Sequence, residues 1–279
     1  MQQILMRYPG GKSKALTLSY DDGVEQDIRL VEIMRQHGIR GTFNMNSGLF
    51  APVGTVYEPG RIHRRLTERG VVDLFRDSGM EVAIHTLTHP FLDALPAADV
   101  LQEVVDDRKN LERLFHQPIQ GMAYPYGATR DTVVEALRMA GIKYARTVIA
   151  TMDFRQPVDW LRLTTTCHHK NPALAELTRR FVAETPQRQP WLFYLWGHSY
   201  EFEADNNWPV IENFCAQTAG CDEVWFATNA EVYDYTQAFN RLEYAVGSRM
   251  IHNPSALAVW IKADSGITEI LAGATVTRL

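Results

Sequence analysis

The stretch ALTLSYDDGVEQDIRLVEIMRQHGIRGTFNMN, Ala15 to Asn46, indicates the fold class. It opens with a short apolar run, Ala15 to Tyr20, whose length is typical of a buried strand. An amphipathic segment follows and ends at Gly38, a residue that commonly terminates helices. The apolar side chains of that segment recur roughly on one helical face: Ile28, Val31, Ile33 and Met34. A second apolar run, Arg40 to Asn46, then predicts the next strand, so the unit is strand, helix, strand.

Units of this kind repeat along the chain to about residue 240. The longest amphipathic segment runs from Ala97 to Phe115 and predicts a long helix. Repeated strand-then-helix order predicts a parallel sheet with helices packed against it. Seven or eight such units favour a closed barrel over an open sheet. We therefore expect an α/β barrel over residues 1–240.

The pattern changes at about Leu242. Short β-like segments follow, joined by the turn residues Asn253-Pro254 and Ser265-Gly266. Residues 241–279 are therefore predicted to form a small C-terminal β appendage packed on the barrel.

Composition excludes some classes of protein. Hydrophobic residues make up 46% and charged residues 22% of the 279 residues, which is ordinary for a globular protein. The net charge of -5 argues against nucleic-acid binding, which usually needs a basic surface. No apolar run is long enough for a membrane span, and no secretory signal precedes the first strand, so a cytoplasmic protein is expected. The oligomeric state stays open.

Polar side chains follow several predicted strands, where a parallel barrel carries its functional groups. Asp21 and Asp22 follow the first strand, and one carboxylate could bind a metal ion while the other acts as a base. Taken alone, these two residues are better explained by a strand-ending turn. His85 and His89 follow another strand and would share a face in a helical turn. Two histidines and a carboxylate form a common ligand set of hydrolytic zinc sites.

Weaker signals follow the later strands. Tyr124 to Gly127 forms a Pro/Gly turn that could direct a backbone N–H at a developing oxyanion, although turn chemistry alone explains it. His198 after Trp196 could be a general acid, although a lone histidine is more often structural. Asp159 and Trp160 open another predicted strand, where Asp159 could orient a histidine and Trp160 could stack on a sugar ring. A surface carboxylate and a half-buried core ring are the alternative.

The order and spacing of these motifs resemble the polysaccharide deacetylase family, also known as NodB-homology proteins or family 4 carbohydrate esterases. The resemblance rests on Leu18 to Gly23, His85 to His89, Ala123 to Gly127, and His198. It implies a distorted (β/α)7 barrel and the hydrolysis of acetyl groups from an acetylated carbohydrate, with N-acetyl favoured over O-acetyl.

The resemblance also implies a role for each motif residue: Asp21 as general base, Asp22, His85 and His89 as metal ligands, the Tyr126 N–H as oxyanion donor and His198 as general acid. Zinc is the expected ion, and cobalt, nickel or manganese would accept the same ligands. Five further residues are expected to bind substrate or support the site: Tyr124, Asp159, Trp160, Arg162 and Trp196.

The sequence departs from the family pattern at two positions. Ala123 stands where many members carry an arginine that contacts the catalytic carboxylate. A nearby cation is still expected, because it would keep Asp21 ionised. Arg162 is the predicted substitute. Trp196-Gly197 precedes His198 where a leucine-containing context is usual.

Three other interpretations stay open at this point. The fold also resembles allantoinase-type amidohydrolases, which act on small non-sugar amides. A non-catalytic carbohydrate-binding relative would retain the barrel but lose part of the metal set or the base. Coincidental motifs on a structural barrel are the third.

Overall fold

The structure is a computed structural model that describes residues 4–246 and 250–277. The strands are, in chain order, β1 (Leu5–Arg7), β2 (Lys14–Asp21), β3 (Gly41–Met45), β4 (Glu81–Ile84), β5 (Gly121–Ala123), β6 (Tyr144–Ala150), β7 (Leu163–Thr165), β8 (Cys167–His168), β9 (Trp191–Gly197), β10 (Val224–Phe226), β11 (Glu243–Tyr244), β12 (Met250–His252), β13 (Val259–Ala263), β14 (Gly266–Ile270) and β15 (Thr275–Thr277).

The α-helices are α1 (Asp27–Gln36), α2 (Glu68–Phe75), α3 (Ala97–Phe115), α4 (Asp131–Met139), α5 (Leu174–Ala183), α6 (Tyr200–Ala204), α7 (Pro209–Thr218) and α8 (Asn229–Asn240). Helix α3 has the bounds that the sequence predicts. Local capping explains several starts: the Thr67 hydroxyl accepts the Gly70 N–H at 3.0 Å before α2. Helix α8 begins with a capping box formed by Thr228 and Glu231.

The central sheet closes into a barrel of parallel strands. Its path runs β7-β6-β5-β4-β3-β2-β9-β8, and β10 pairs with the first residues of β2. Only Thr166 separates β7, which pairs with β6, from β8, which pairs with β9. The Thr166 N–H donates to the carbonyl of Tyr194 on β9 at 2.9 Å, so the backbone pairing with β9 already begins at Thr166. The eight strands of the path thus occupy seven positions, because β7 and β8 lie along one line, and the predicted distorted (β/α)7 barrel is confirmed.

The apolar core lies between the barrel and its helices. Strand β2 is buried along its whole length, as expected for a parallel strand covered on both faces. In α1 the buried residues are Asp27, Leu30, Val31, Ile33 and Met34. The expectation for Ile28 was wrong, since this side chain is 52% exposed and Leu30 occupies the inward face.

Antiparallel strands follow the barrel, as the sequence predicts. They form one sheet of β11, β12 and β15 and another of β13 and β14, which β1 joins through antiparallel pairing with β13. The division into residues 1–240 and 241–279 stays a prediction, and β1 shows that residues 5–7 pair with the appendage. Residues 1–3, 247–249 and 278–279 of the two predicted units lie outside the described residues. Among the described residues, no helix is both long and apolar enough to cross a membrane.

Candidate active site

The carboxyl ends of the barrel strands surround a cavity of about 490 Å³. Its walls bring together most of the predicted site residues with several that were not predicted: Asp21, Asp22, His63, Arg65, His85, His89, Tyr124, Tyr126, Val148, Trp196, His198 and Tyr200. A cavity of this size with convergent polar groups suits a small ligand or part of a larger one.

Backbone strain is concentrated around this cavity. Asp22, Thr86, His89 and Tyr126 have φ values of 89°, 66°, 60° and 58°, in the left-handed region that residues with a side chain rarely occupy. Each such residue costs about 1–3 kcal/mol and persists only where the surrounding structure imposes it. Strain of this kind is frequent at functional sites, and here it accompanies three of the motifs.

The Asp21 carboxylate is buried and held by two donors. Asn44 Nδ2 donates to Oδ1 at 2.8 Å, and a guanidinium nitrogen of Arg146 donates to Oδ2. Burial would raise the pKa of Asp21, but the charge of Arg146, with contributions from His85 and His198, lowers it below the usual value. Asp21 is therefore an ionised carboxylate at neutral pH.

Asp22, His85 and His89 place one ligand atom each within 4.8 Å of one another. His85 Nδ1 lies 2.8 Å from the Ala123 carbonyl and donates to it, so that Nε2 keeps its lone pair. Burial lowers the pKa of His85 to about 4 and also lowers that of His89, so both imidazoles are neutral at pH 7. Two neutral imidazoles beside a carboxylate form a donor set that fits a divalent ion.

Two side chains from the loop before α2 bind the Asp22 carboxylate. Arg65 Nη2 donates to Oδ1 at 3.1 Å, and His63 Nε2 lies 3.1 Å from Oδ2. Arg65 also donates to the Asn46 Oδ1 at 2.8 Å. Burial would raise the pKa of Asp22, and the His63 hydrogen bond and the Arg65 charge lower it instead. Neither residue could be predicted, because nothing in the sequence of a polar loop indicates which strand end its side chains reach.

Comparisons with known proteins identify proteins to which the chain is similar. Residues 8–145 match the family model for polysaccharide deacetylase. Over 150 residues the chain is 25% identical to a chitooligosaccharide deacetylase from Bradyrhizobium sp. (strain ANU 289), covering 52% of this chain and 61% of that protein. Over this stretch the chain is similar to the polysaccharide deacetylase family.

Two solved structures share the fold. A family 4 carbohydrate esterase from Streptomyces lividans in complex with acetate is 16% identical with a TM-score of 0.51, covering 76% of this chain and 91% of that one. A candidate polysaccharide deacetylase from Mycobacterium smegmatis is 15% identical with a TM-score of 0.59, covering 86% and 96%. The curated relatives are matched over 61% and 42% of their own lengths.

The arginine that contacts Asp21 lies on β6, next to β5, where the family pattern would place an arginine at position 123. Ala123 on β5 and Arg146 on β6 are direct register partners, so their side chains lie on the same face of the sheet. The Arg146 guanidinium pairs with Asp21 and lies 4.4 Å from the centroid of the Trp196 ring. An arginine within the apolar run KYARTV was the available sequence signal, because arginine is rarely buried without a partner.

The prediction that Arg162 supplies this cation is therefore wrong. Arg162 lies in the turn before β7, where its guanidinium pairs with Asp159 at 3.1 Å and with the exposed Asp131. Asp159 caps the same turn by accepting the Leu161 N–H at 2.9 Å, so it does not orient a histidine. Trp160 opens this turn instead of a strand and packs edge-on against Tyr233 at 5.0 Å, away from the cavity.

The carboxylate that contacts His198 belongs to Glu201. Its Oε2 lies 3.3 Å from both the backbone nitrogen and Nδ1 of His198, which directs His198 Nε2 toward Asp21 Oδ2 at 3.8 Å. Burial would lower the pKa of His198, but the Glu201 hydrogen bond and the charges of Asp21 and Asp22 raise it. Glu201 follows His198 by three residues at the start of α6, a spacing that could have identified it.

Glu201 also contacts a second histidine. His168, His198 and Glu201 have ligand atoms within 4.8 Å of one another. The Lys170 N–H donates to His168 Nδ1 at 3.1 Å, so Nδ1 acts as the acceptor and the ring proton lies on Nε2, which is 3.2 Å from Glu201 Oε2. A protonated nitrogen has no lone pair for a metal ion. This group is therefore arranged as a hydrogen-bonded network around a carboxylate, in contrast to the Asp22 group.

The remaining predicted residues line the cavity. In the turn after β5 the Gly127 N–H donates to the Tyr124 carbonyl at 3.0 Å and the Ala128 N–H donates to the Pro125 carbonyl at 3.1 Å. The Tyr126 N–H takes no part in these two hydrogen bonds. The Tyr124 ring also lines the wall, with its hydroxyl donating to the Leu161 carbonyl at 2.6 Å. Trp196 contributes a nearly buried ring.

Proposed function

We propose that this chain hydrolyses an N-acetyl group on a carbohydrate with the help of a divalent metal ion. The observation that carries the proposal is the position of Asp21. His85 Nε2 and His198 Nε2 each lie 3.8 Å from Asp21 Oδ2. An ionised carboxylate, a metal-binding group and a histidine with a raised pKa thus converge on one cavity, as hydrolysis by an activated water requires.

Asp22, His85 and His89 would hold the ion. Three protein ligands leave a coordination position open, which distinguishes catalytic from structural zinc sites. When bound, the ion would acidify a water molecule and polarise the acetyl carbonyl. Zinc is the ion that we expect from two imidazoles and a carboxylate, and cobalt, nickel or manganese would accept the same set.

Asp21 would accept the proton of the attacking water. Asn44 and Arg146 bind different oxygens of the carboxylate and fix its orientation. The low pKa keeps the carboxylate ionised, so a proton acceptor is available at neutral pH without further activation. A base held by packing and hydrogen bonds is already oriented before substrate binds.

Tyr126 and His198 would stabilise the intermediate and protonate the leaving group, respectively. The N–H of Tyr126 would donate a hydrogen bond to the acetyl carbonyl oxygen as negative charge develops on it. His198 would protonate the leaving nitrogen, and its raised pKa keeps a larger share of it protonated at neutral pH. An amine leaves poorly without a proton, whereas an alcohol needs it less, so this acid favours the N-acetyl substrate.

Acetate release from N-acetylated chito-oligosaccharides tests the proposal. Metal-stripped protein should be inactive and should recover on zinc addition. Asp21→Asn and His198→Ala should each lower kcat at least about 100-fold. Asp131→Asn, which changes an exposed carboxylate outside the cavity, is the matched control and should retain activity.

Acetylated xylan and a small ureide form the comparison substrates. Preferred release from xylan would replace N-acetyl with O-acetyl as the substrate bond. Turnover of the ureide alone would contradict the carbohydrate assignment. No turnover of any substrate by zinc-loaded protein would contradict the hydrolytic function.

A further inference from the structure

Three N–H groups converge on a single carboxylate oxygen of Glu201. The backbone nitrogen and Nδ1 of His198 each lie 3.3 Å from Oε2, and Nε2 of His168 lies 3.2 Å from it. The two contacts from His198 are long for hydrogen bonds to a charged acceptor. The contact from His168 is the shortest of the three, and it comes from a different strand, β8.

The Glu201 side chain depends on these contacts for its orientation. Helix α6 itself is fixed, because Phe202 is fully buried and its ring stacks on that of His169 at a centroid distance of 4.1 Å. The Glu201 side chain, in contrast, is 18% exposed. Fixing one rotamer of a glutamate costs up to about 2 kcal/mol, and two long contacts with His198 offset only part of that cost.

The ring of His168 is held in position independently of Glu201. Its Nδ1 accepts the Lys170 N–H at 3.1 Å, so Nε2 carries the proton that Glu201 accepts. The ring also packs edge-on against Trp196 at a centroid distance of 4.5 Å, and the two residues are register partners on β8 and β9. His168 therefore offers a donor of fixed position and fixed tautomer.

The other titratable groups beside Glu201 are less suited to hold it. His169 Nε2 lies 3.3 Å from Oε2 but outside hydrogen-bonding geometry, and burial lowers the pKa of this histidine to about 3. The Lys170 ammonium lies 3.8 Å from Oε1 and pairs more closely with Asp205, at 2.7 Å. His168 is thus the neighbour outside the His198 loop that is best placed to hold the carboxylate.

We propose that His168 is a positioning residue for the general acid: it holds the Glu201 carboxylate against His198 Nδ1, so that His198 Nε2 presents its proton to the cavity. The inference rests on the proposed function, because it takes His198 as the acid that protonates the leaving nitrogen. Without His168, the carboxylate would turn toward solvent and His198 would lose its acceptor. A substitution at position 168 leaves in place the titratable groups on the cavity side of His198: Asp21, Asp22 and Tyr200.

Matched variants of His168 in zinc-loaded protein test this role. His168→Leu removes the donor and His168→Asn places an amide short of it, whereas His168→Gln places an amide nitrogen near the position of Nε2. The Leu and Asn variants should slow acetate release from N-acetylated chito-oligosaccharides at least about tenfold, and release from an activated aryl ester less than about threefold. The Gln variant should retain most of both rates. His252→Leu is the control, because the His252 ring also makes a side-chain hydrogen bond, to Thr275 at 3.0 Å, but lies on β12.

A double-mutant cycle tests whether His168 acts through Glu201. In a Glu201→Gln background, His168→Leu should change the rate of amide hydrolysis less than about twofold, whereas independent roles would multiply the two losses. Multiplied losses, equal slowing of amide and ester hydrolysis, or equal losses in the Leu and Gln variants would overturn the proposal.

The histidine nitrogen resonances of the zinc-loaded protein, followed against pH, separate this proposal from the hydrolytic function because they need no turnover. The pKa of His198 should be lower in the Leu and Asn variants than in the wild type, and unchanged in the Gln variant. A pKa of His198 that does not respond to position 168 would refute the positioning role even where acetate is released. A response without acetate release from any substrate would support the positioning role and refute the proposed hydrolysis.

Discussion

Replacing Arg146 with methionine tests whether this residue keeps Asp21 ionised. Methionine has a similar length and no charge, so the substitution removes the ion pair while leaving most of the packing volume. The two side chains are buried, with relative exposures of 0% for Arg146 and 2% for Asp21. The variant therefore leaves a carboxylate inside the barrel with Asn44 as its remaining donor.

The expected loss of stability follows from that burial. Removing one partner of a buried ion pair costs about 3–5 kcal/mol, because the other charge stays buried without compensation. The Asn44 hydrogen bond persists, so we expect a value near the lower end, about 3 kcal/mol. At roughly 2–4 °C per kcal/mol, the melting temperature of the metal-free protein should fall by roughly 6–12 °C at pH 7.

The loss should depend on pH in a defined direction. In the wild type the pKa of Asp21 is lowered, so its ionisation stabilises the fold above the unfolded-state pKa of about 4, and this contribution is lost as the pH falls through the folded pKa. Without Arg146, burial raises the pKa above the unfolded value, and ionisation then opposes folding. The difference in unfolding free energy between wild type and variant should therefore be largest near pH 7 and shrink below about pH 4.

Denaturant unfolding at pH 7 and pH 4 measures this difference, and the pH profile of kcat/KM measures the base. The acidic limb should move to higher pH in Arg146→Met. Adding Ala123→Arg should reverse the move in part, because the two positions are register partners. Arg162→Met is the control, since its ion pairs are exposed and such pairs contribute about 0–1 kcal/mol. Equal effects of the Arg146 and Arg162 variants at both pH values would refute the reasoning.

Three further predictions follow from the same geometry. Glu201→Gln should lower the pKa of His198 and move the basic limb of the pH profile of kcat/KM to lower pH. It should also slow amide hydrolysis at least about tenfold more than hydrolysis of an activated aryl ester. Equal slowing of both reactions would contradict a role of Glu201 through the general acid His198. Zinc should raise the melting temperature of the wild type by linkage, and His85→Ala should abolish most of that rise in a thermal scan with and without metal. Gly127→Ala should lower the free energy of unfolding by about 1–3 kcal/mol more than Gly60→Ala does. Both glycines have a positive φ, but of the two only Gly127 has a side chain within 4 Å of the added Cβ. Denaturant midpoints that coincide for the two variants would show that this contact relaxes without cost.

Features that depend on neighbouring residues could be predicted from the sequence. Strand and helix periodicity indicates the barrel, because burial on a parallel strand or one helix face is written into consecutive residues. The bounds of α3 follow from the same pattern. Asp21 with Asp22, and His85 with His89, are close in sequence and directly follow strands, so their meeting at one barrel end could be expected from topology. Their catalytic and metal-binding roles stay predictions.

Features that depend on register and on distant contacts required the tertiary structure. Arg146 is 125 positions from Asp21, and which arginine reaches the carboxylate depends on the pairing of β5 with β6. Arg162 carries the same charge, but its turn faces solvent. The antiparallel pairing of β1 with β13 likewise joins distant segments, and no local pattern specifies it. The sequence by itself therefore determined the barrel and the placement of the candidate site residues at one end of it, because these follow from local periodicity and strand ends. The tertiary structure alone decided which side chains neutralise and orient them, because a buried charge takes the partner that packing brings within hydrogen-bonding distance.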